Sequence, residues 1–289
     1  VMYQVGKHFY GNYGGFLTAV MIASSAFFIH YMHELRGYTL FLLIIAVVLL
    51  YYWILITRPQ YQRRWLRWGF SLSIAFALYT HYVAGAFLLG LMVYHLLFER
   101  TEPTRHPYMN RERWLDIIRS WINGCLLFTP WMAMLIGTIM SESAEDRALP
   151  SLQLIQYAVY SFTNNLWILI LPLLLLSLFV VRHNPKIRFL WVWFISASIV
   201  VTIINVFASF LFHPRHILPF LIIMILLLIG TLLQLDKITK GLSASVVSIF
   251  LGMGLVYAQS PDFMQAISTH IRPIPLPVMT DMMNASESC

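Results

Sequence analysis

Three short polar clusters hold the groups that could do chemistry in this chain: His33-Glu34-Leu35-Arg36-Gly37-Tyr38, Thr80-His81-Tyr82 and His213-Pro214-Arg215-His216. Each interrupts long apolar runs. Ionisable groups in or beside a bilayer are costly unless they are paired, wetted or lining a cavity, which makes them functional candidates by default. Arg36 and Arg215 offer planar, permanently charged forks that match phosphate oxygens. Leaving-group charge developing on a phosphate gripped in that way would meet fixed positive charge, which stabilises a transition state. A nearby carboxylate or imidazole could take a proton from an acceptor hydroxyl. Taken singly, each residue also has an ordinary reading: Arg36 pairing with Glu34 or a lipid phosphate, His81 bonded to a backbone carbonyl, Arg215 as a loop charge that sets topology. All three clusters nevertheless fall on one side, which makes them a candidate site together.

The elements that must position these clusters are helices in a membrane. Of the 289 residues, 59% are hydrophobic and only 11% charged, where a soluble domain carries about 25% charge. The composition therefore indicates an all-α, polytopic transmembrane bundle. A net charge of +7 does not argue for nucleic acid, because the basic residues lie in short loops between apolar runs. Cys125 and Cys289 supply neither a disulfide framework nor metal-ligand spacing, and the sequence calls for no metal or cofactor. Val1 is no initiator, and Val1 to Tyr10 is too polar for the core of a signal peptide. The chain reads as a piece of a longer protein.

At about 20 apolar residues per span, nine spans fall near 16–32, 39–57, 67–79, 83–98, 120–140, 165–182, 189–211, 217–235 and 241–258. With Val1 to Gly15 on the cytoplasmic side, only Arg36, Arg147, Arg215 and Arg272 lie in outer loops. The other fifteen of the 19 Lys and Arg residues are inner, as the positive-inside rule requires. The same rule divides the run Trp68 to Phe98, which as one helix would be about 46 Å long, into two helices turning at Tyr79-Thr80-His81-Tyr82. His81 then joins His33, Glu34 and Arg36 outside. Trp65, Trp68, Trp191 and Trp193 suit interfacial belts. Trp114, Ile117, Ile118 and Trp121 recur at helical spacing opposite Arg113, Asp116 and Arg119, predicting an amphipathic interfacial helix that leads into the next span. Ser151 to Asn165 suits an interfacial helix or a flap over an outer cavity. Pro219 is expected in the first turn of the following helix. Residues 1–258 thus form the membrane domain, and 259–289 begin an extracytoplasmic tail or soluble domain, in which Asn284-Ala285-Ser286 has the glycosylation pattern.

The corner His33-Glu34-Leu35-Arg36-Gly37-Tyr38 after Ser24-Ser25 resembles the Glu-x-Arg-x-Tyr corner of polyprenyl-phosphate-sugar glycosyltransferases of the GT-C superfamily. The bacterial branch related to protein O-mannosyltransferases, lipid A aminoarabinose transferase and lipopolysaccharide-core galacturonosyltransferases is the most similar. Lys7-His8-Phe9-Tyr10-Gly11, Thr80-His81-Tyr82 and Pro214-Arg215-His216-Ile217-Leu218-Pro219 add to the likeness in order and spacing. The resemblance implies an integral enzyme of the bacterial inner membrane. It would move a sugar, with inversion, from a polyprenyl-phosphate carrier to a glycan, lipid or protein acceptor on the extracytoplasmic side. By the same resemblance Glu34, Arg36 and Tyr38 line the donor site, His81 sits beside the cavity, and Arg215 and His216 meet the phosphate. The family's catalytic acid, in the first outer loop, is expected upstream of Val1, so these residues would bind the donor without completing the reaction alone.

Three other readings stay open. A transporter or flippase of lipid-linked saccharides would also place Arg and His beside a lipid phosphate, with polar groups through the membrane depth and a broken helix near the midplane. An O-antigen-type polymerase or ligase is chemically close but carries a large outer loop, and a non-catalytic scaffold would make the corners incidental.

Overall fold

The computed structural model describes residues 1–33, 37–57, 64–99, 111–141, 159–160, 162–164, 166–181, 184–207 and 214–258. Glu34, Arg36, His213, most of the expected flap and the tail from 259 lie outside them. No strand occurs among the described residues, and the chain is all-helical. Its helices are α1 (Met2–Ala23), α2 (Ala26–His33), α3 (Tyr38–Thr57), α4 (Arg64–Thr80), α5 (Ala84–Tyr94), α6 (Arg111–Ser141), α7 (Trp167–Val181), α8 (Pro185–Phe207), α9 (Leu218–Leu235) and α10 (Leu242–Ala258). A π-turn, His95–Glu99, extends α5, and a 3-10 turn, Pro214–Ile217, precedes α9. The chain turns between α4 and α5 at His81 to Val83, where the loop charges placed the turn.

By length and composition α3 and the Pro185–Ile204 part of α8 are able to cross a membrane, while Ala84–Phe98, Trp167–Phe179, Pro219–Leu235 and Leu242–Gly254 are shorter apolar helices. Two is fewer than the nine spans read from apolar runs. One reason lies in the run 16–32, which is not a single helix. Ser24 closes α1, its Oγ donating to Val20 O at 2.8 Å. Ser25 opens α2, its Oγ accepting from Phe28 N at 3.4 Å in the manner of an N-cap. Two adjacent serines thus end one helix and start another.

Val1 to Gly15 is not a loop either. Gly11 takes a left-handed conformation (φ 81°, ψ −177°), which glycine adopts without a Cβ penalty, and the chain folds back there. Residues twelve apart on one straight helix would be about 18 Å apart, yet a Cβ on Gly6 would lie 2.7 Å from Thr18 Cβ, and one on Gly15 would lie 2.7 Å from Tyr3 O. The segments before and after Gly11 are therefore antiparallel and touching. Gly6 and Gly15 allow that approach because nothing projects between the backbones. Lys186, at the start of α8, donates a hydrogen bond to Phe9 O beside this turn.

The helix α9 sits at the centre. All of Leu218 to Leu232 is buried, as expected of a helix apolar on every face, and α9 packs against α1, α3, α7, α8 and α10. Around it the tightest pairs are α4 with α6 and α5 with α8. In the second pair Trp193 Nε1 donates to Phe87 O at 2.9 Å, and a Cβ on Gly90 would come within 2.9 Å of Trp193 Cδ1. Overfilling a packed contact costs about 1–3 kcal/mol. Gly90→Leu is accordingly expected to lower stability by about that much, read as an earlier thermal unfolding transition in detergent; an unchanged transition would show that α5 and α8 do not pack this closely.

The expected interfacial helix before the span at 120–140 is instead continuous with it, as the 31-residue α6. Ile117 and Trp121 are buried as its periodicity implied, but so is Arg113, and Asp116 pairs with α4.

Candidate functional site

One end of the bundle brings together residues from all three polar clusters. His81 continues the backbone bonding of α4, its N–H reaching Ala77 O at 3.0 Å, and its own carbonyl accepts from Ala84 N at 2.9 Å. The His81 ring is held from two directions. It stacks on Phe41 with centroids 5.1 Å apart, and its Nδ1 accepts from Val83 N at 3.3 Å. That bond places the proton of a neutral ring on Nε2.

His216 comes from the opposite direction in sequence. It lies in the 3-10 turn that leads into the central helix, where Pro219 occupies the first turn as expected. The His216 side chain is buried, and its ring centroid is 4.6 Å from that of His81. Tyr82 touches both, at 4.6 Å and 6.0 Å. Tyr38, at the start of α3, is buried with its ring 6.1 Å from His81, and Tyr31 of α2 lies 6.1 Å beyond it. Beneath them Phe41, Phe87 and Phe220 form an apolar floor, with Phe41 and Phe87 at 6.4 Å and Phe87 and Phe220 at 4.8 Å.

Of the residues singled out in the sequence, Tyr38, His81 and His216 therefore meet, and Tyr82 joins them. Arg215 is placed by its backbone immediately before His216, and His33 ends α2. Glu34 and Arg36 lie outside the described residues, bounded by His33 on one side and by Gly37 on the other. A Cβ on Gly37 would reach Thr80 Cγ2 at 4.0 Å, so the first corner closes on the second. Two imidazoles and two phenols thus stand together over an aromatic floor.

Sequence reasoning missed Asn164. Its side chain is fully buried, with Oδ1 accepting from Ala26 N at 2.9 Å and Nδ2 donating to Ser24 O at 3.1 Å and to Phe250 O at 3.2 Å. It thereby satisfies the backbone groups freed between α1 and α2 and ties them to α10. Asn164 has a positive φ of 50°, a conformation that Asn tolerates better than most residues. The signal was present: an Asn-Asn pair directly ahead of an apolar run is a place for a left-handed turn.

Comparison of the chain with protein-family models, with curated proteins and with solved structures gives no match.

Proposed function

We propose that this chain is part of an integral membrane glycosyltransferase, with a GT-C-like bundle of about nine spans and its site at the extracytoplasmic face of a bacterial inner membrane. The donor is a sugar on a polyprenyl phosphate, and the acceptor is a hydroxyl-bearing glycan, lipid or protein. The acceptor oxygen attacks the anomeric carbon from the face opposite the carrier. The bond from that carbon to the phosphate oxygen breaks, its electron pair stays on the phosphate, and the configuration inverts. Arg36 and Arg215 grip the phosphate as charge grows on it, with His216, Tyr38 and Glu34 lining the donor site and His81 beside the cavity. The acceptor hydroxyl's proton passes to a carboxylate or imidazole acting as general base, a role to which none of these residues is assigned.

The observation that carries this reading is the contact of His81 with His216, which puts Arg215 beside the α4–α5 turn and Tyr38 within the same ring cluster. A membrane setting is supported by outward apolar stripes: Leu72 and Phe76 on α4, Leu175 and Phe179 on α7, Ile195, Ile199 and Ile203 on α8, all exposed. A surface facing water rarely presents contiguous apolar patches of this kind.

The test is incubation of full-length protein with a radiolabelled polyprenyl-phosphate sugar in membranes containing candidate acceptors. Label leaving the carrier for a water-soluble or lipid acceptor supports transfer, and label recovered wholly on the carrier argues against it.

One observation favours the second reading, a transporter or flippase of lipid-linked saccharides. The break at Ser24-Ser25 is similar to the interrupted helices of such proteins. Label that stays on the carrier but crosses the bilayer of reconstituted vesicles would establish that reading instead.

A further inference from the structure

At the far end of α4 from His81, about 24 Å along the helix at 1.5 Å per residue, α4 and α6 enclose a recess of ≈ 270 Å³. Its lining includes Arg64, Arg67, Arg119, Trp68 and Asn123, and among the described residues its one carboxylate is Asp116. We propose that this recess is a second anion site, built to hold the phosphate of an anionic phospholipid headgroup.

The recess is set in a rigid frame. Ser71 Oγ, on α4, donates to Ser120 O of α6 at 2.9 Å, and a Cβ on Gly124 would meet Ile74 Cβ at 2.8 Å, so the two helices are in backbone contact just above it. Asp116 binds Arg67 directly and accepts from Arg119 Nη1 at 3.2 Å. The carboxylate thus orients two guanidinium groups while cancelling one charge among three. The remaining charge is positive, and the Arg119 side chain is 69% exposed, open to a ligand from outside. The volume is several times the ~30 Å³ that one water takes in the liquid, which leaves room for a hydrated phosphate.

The surroundings indicate a lipid. Trp65 and Trp68 are each 55% exposed beside the recess, and exposed indoles mark the headgroup level of a bilayer. From Trp68 an uninterrupted exposed stripe runs up α4 through Leu72, Phe76 and Tyr79, matched on α6 by Ile122 and Leu126. A headgroup in the recess would therefore have its acyl chains against apolar side chains. A free phosphate would use the arginines and leave the stripes uncovered. The site is separate from the ring cluster, and it depends on placement in a bilayer, not on glycosyl transfer.

The test uses full-length protein in detergent, freed of co-purified lipid and then offered phosphatidylglycerol or phosphatidylcholine at equal concentration, with retained lipid counted by native mass spectrometry. Juxtamembrane basic residues favour anionic lipid by about fivefold each. Wild type is expected to retain phosphatidylglycerol over phosphatidylcholine by at least that factor, R64Q/R119Q to hold both lipids equally, and R64K/R119K to keep part of the preference. K237Q/K240Q, which removes two exposed charges from the α9–α10 loop, should behave as wild type. Competition with excess inorganic phosphate distinguishes the sources: persistence of the preference supports a lipid headgroup, and its collapse would replace the lipid with free phosphate. Equal retention by wild type, a preference that survives R64Q/R119Q, or its loss in K237Q/K240Q would each overturn the proposal, whatever the outcome of the sugar-transfer assay.

Discussion

Replacing Arg215 with alanine is expected to lower sugar transfer by about 10²-fold to 10³-fold, the cost typical of removing one fixed donor from a developing anion. The reasoning starts from position. Arg215 precedes His216, whose buried ring meets His81, so its backbone stands next to the cluster. The positive charge of arginine in the proposed role matters more once the carrier's bond to the sugar begins to break than before, and the loss should fall mainly on kcat. Arg36→Ala is expected to do the same from the other corner. Lysine at either position should restore only part of the rate, because it brings the charge without the two-pronged fork. Membrane insertion, followed by protease accessibility of the loops, should be unchanged in all of these variants. Wild-type transfer in both alanine variants would remove the phosphate grip from the mechanism. Unaltered transfer together with impaired bilayer passage would point to the flippase.

The second large effect concerns Asn164. Asn164→Ala is expected to destabilise the fold by roughly 2–4 kcal/mol, since each of its three hydrogen bonds to buried backbone is worth about 1 kcal/mol and alanine at positive φ adds about 1 kcal/mol. Asn164→Gly keeps the conformation and loses only the bonds, so it should be the milder change. Asn164→Asp should be at least as damaging as alanine, because a carboxylate would face Ser24 O and Phe250 O, where the amide nitrogen now donates. Gly254 provides an independent check on the same junction. Any Cβ there would strike Ser24 O and crowd the Asn164 amide nitrogen at 2.5 Å, so Gly254→Ala should reproduce much of the defect. The measurement is thermal unfolding in detergent, and stability equal to wild type in all four variants would mean that the junction is not what joins α2 to α10.

What the sequence showed and what it hid follow from the range of the forces involved. Apolar run length and loop charge are local, and they located α3, α9, α10 and the turn at His81 closely: the expected 39–57, 217–235 and 241–258 correspond to Tyr38–Thr57, Leu218–Leu235 and Leu242–Ala258. The fold-back at Gly11 was hidden because Val1 to Gly15 carries Lys7 and His8 among aromatics, and that polarity reads as a loop. Gly6, Gly14 and Gly15 are the residues that would have suggested two backbones in contact. The break at Ser24-Ser25 was hidden because serine is ordinary within an apolar helix. Only Asn164, 138 residues away from Ala26, turns the break into a stable arrangement, and no window along the chain joins the two. At the site, helix ends and charge asymmetry brought Tyr38, His81 and His216 to one face in the reading, but their mutual contact depends on where α9 lies, which is a matter of packing. Periodicity puts Arg113, Asp116 and Arg119 on the polar side of an interfacial helix, because it assigns a face without saying what stands opposite.

The order in which a ribosome delivers these helices bears on the junction at Asn164. The opened backbone at Ser24 and Ser25 emerges early, its amide clamp only after more than a hundred further residues, and its last acceptor, Phe250 O, only with α10. A nascent chain stopped after α9 would have a core helix with one flank uncovered and a half-fastened break between α1 and α2. Closure of this junction thus waits until α10 has been made, and truncation before Phe250 should leave a product marked for quality-control proteolysis in place of a smaller working bundle.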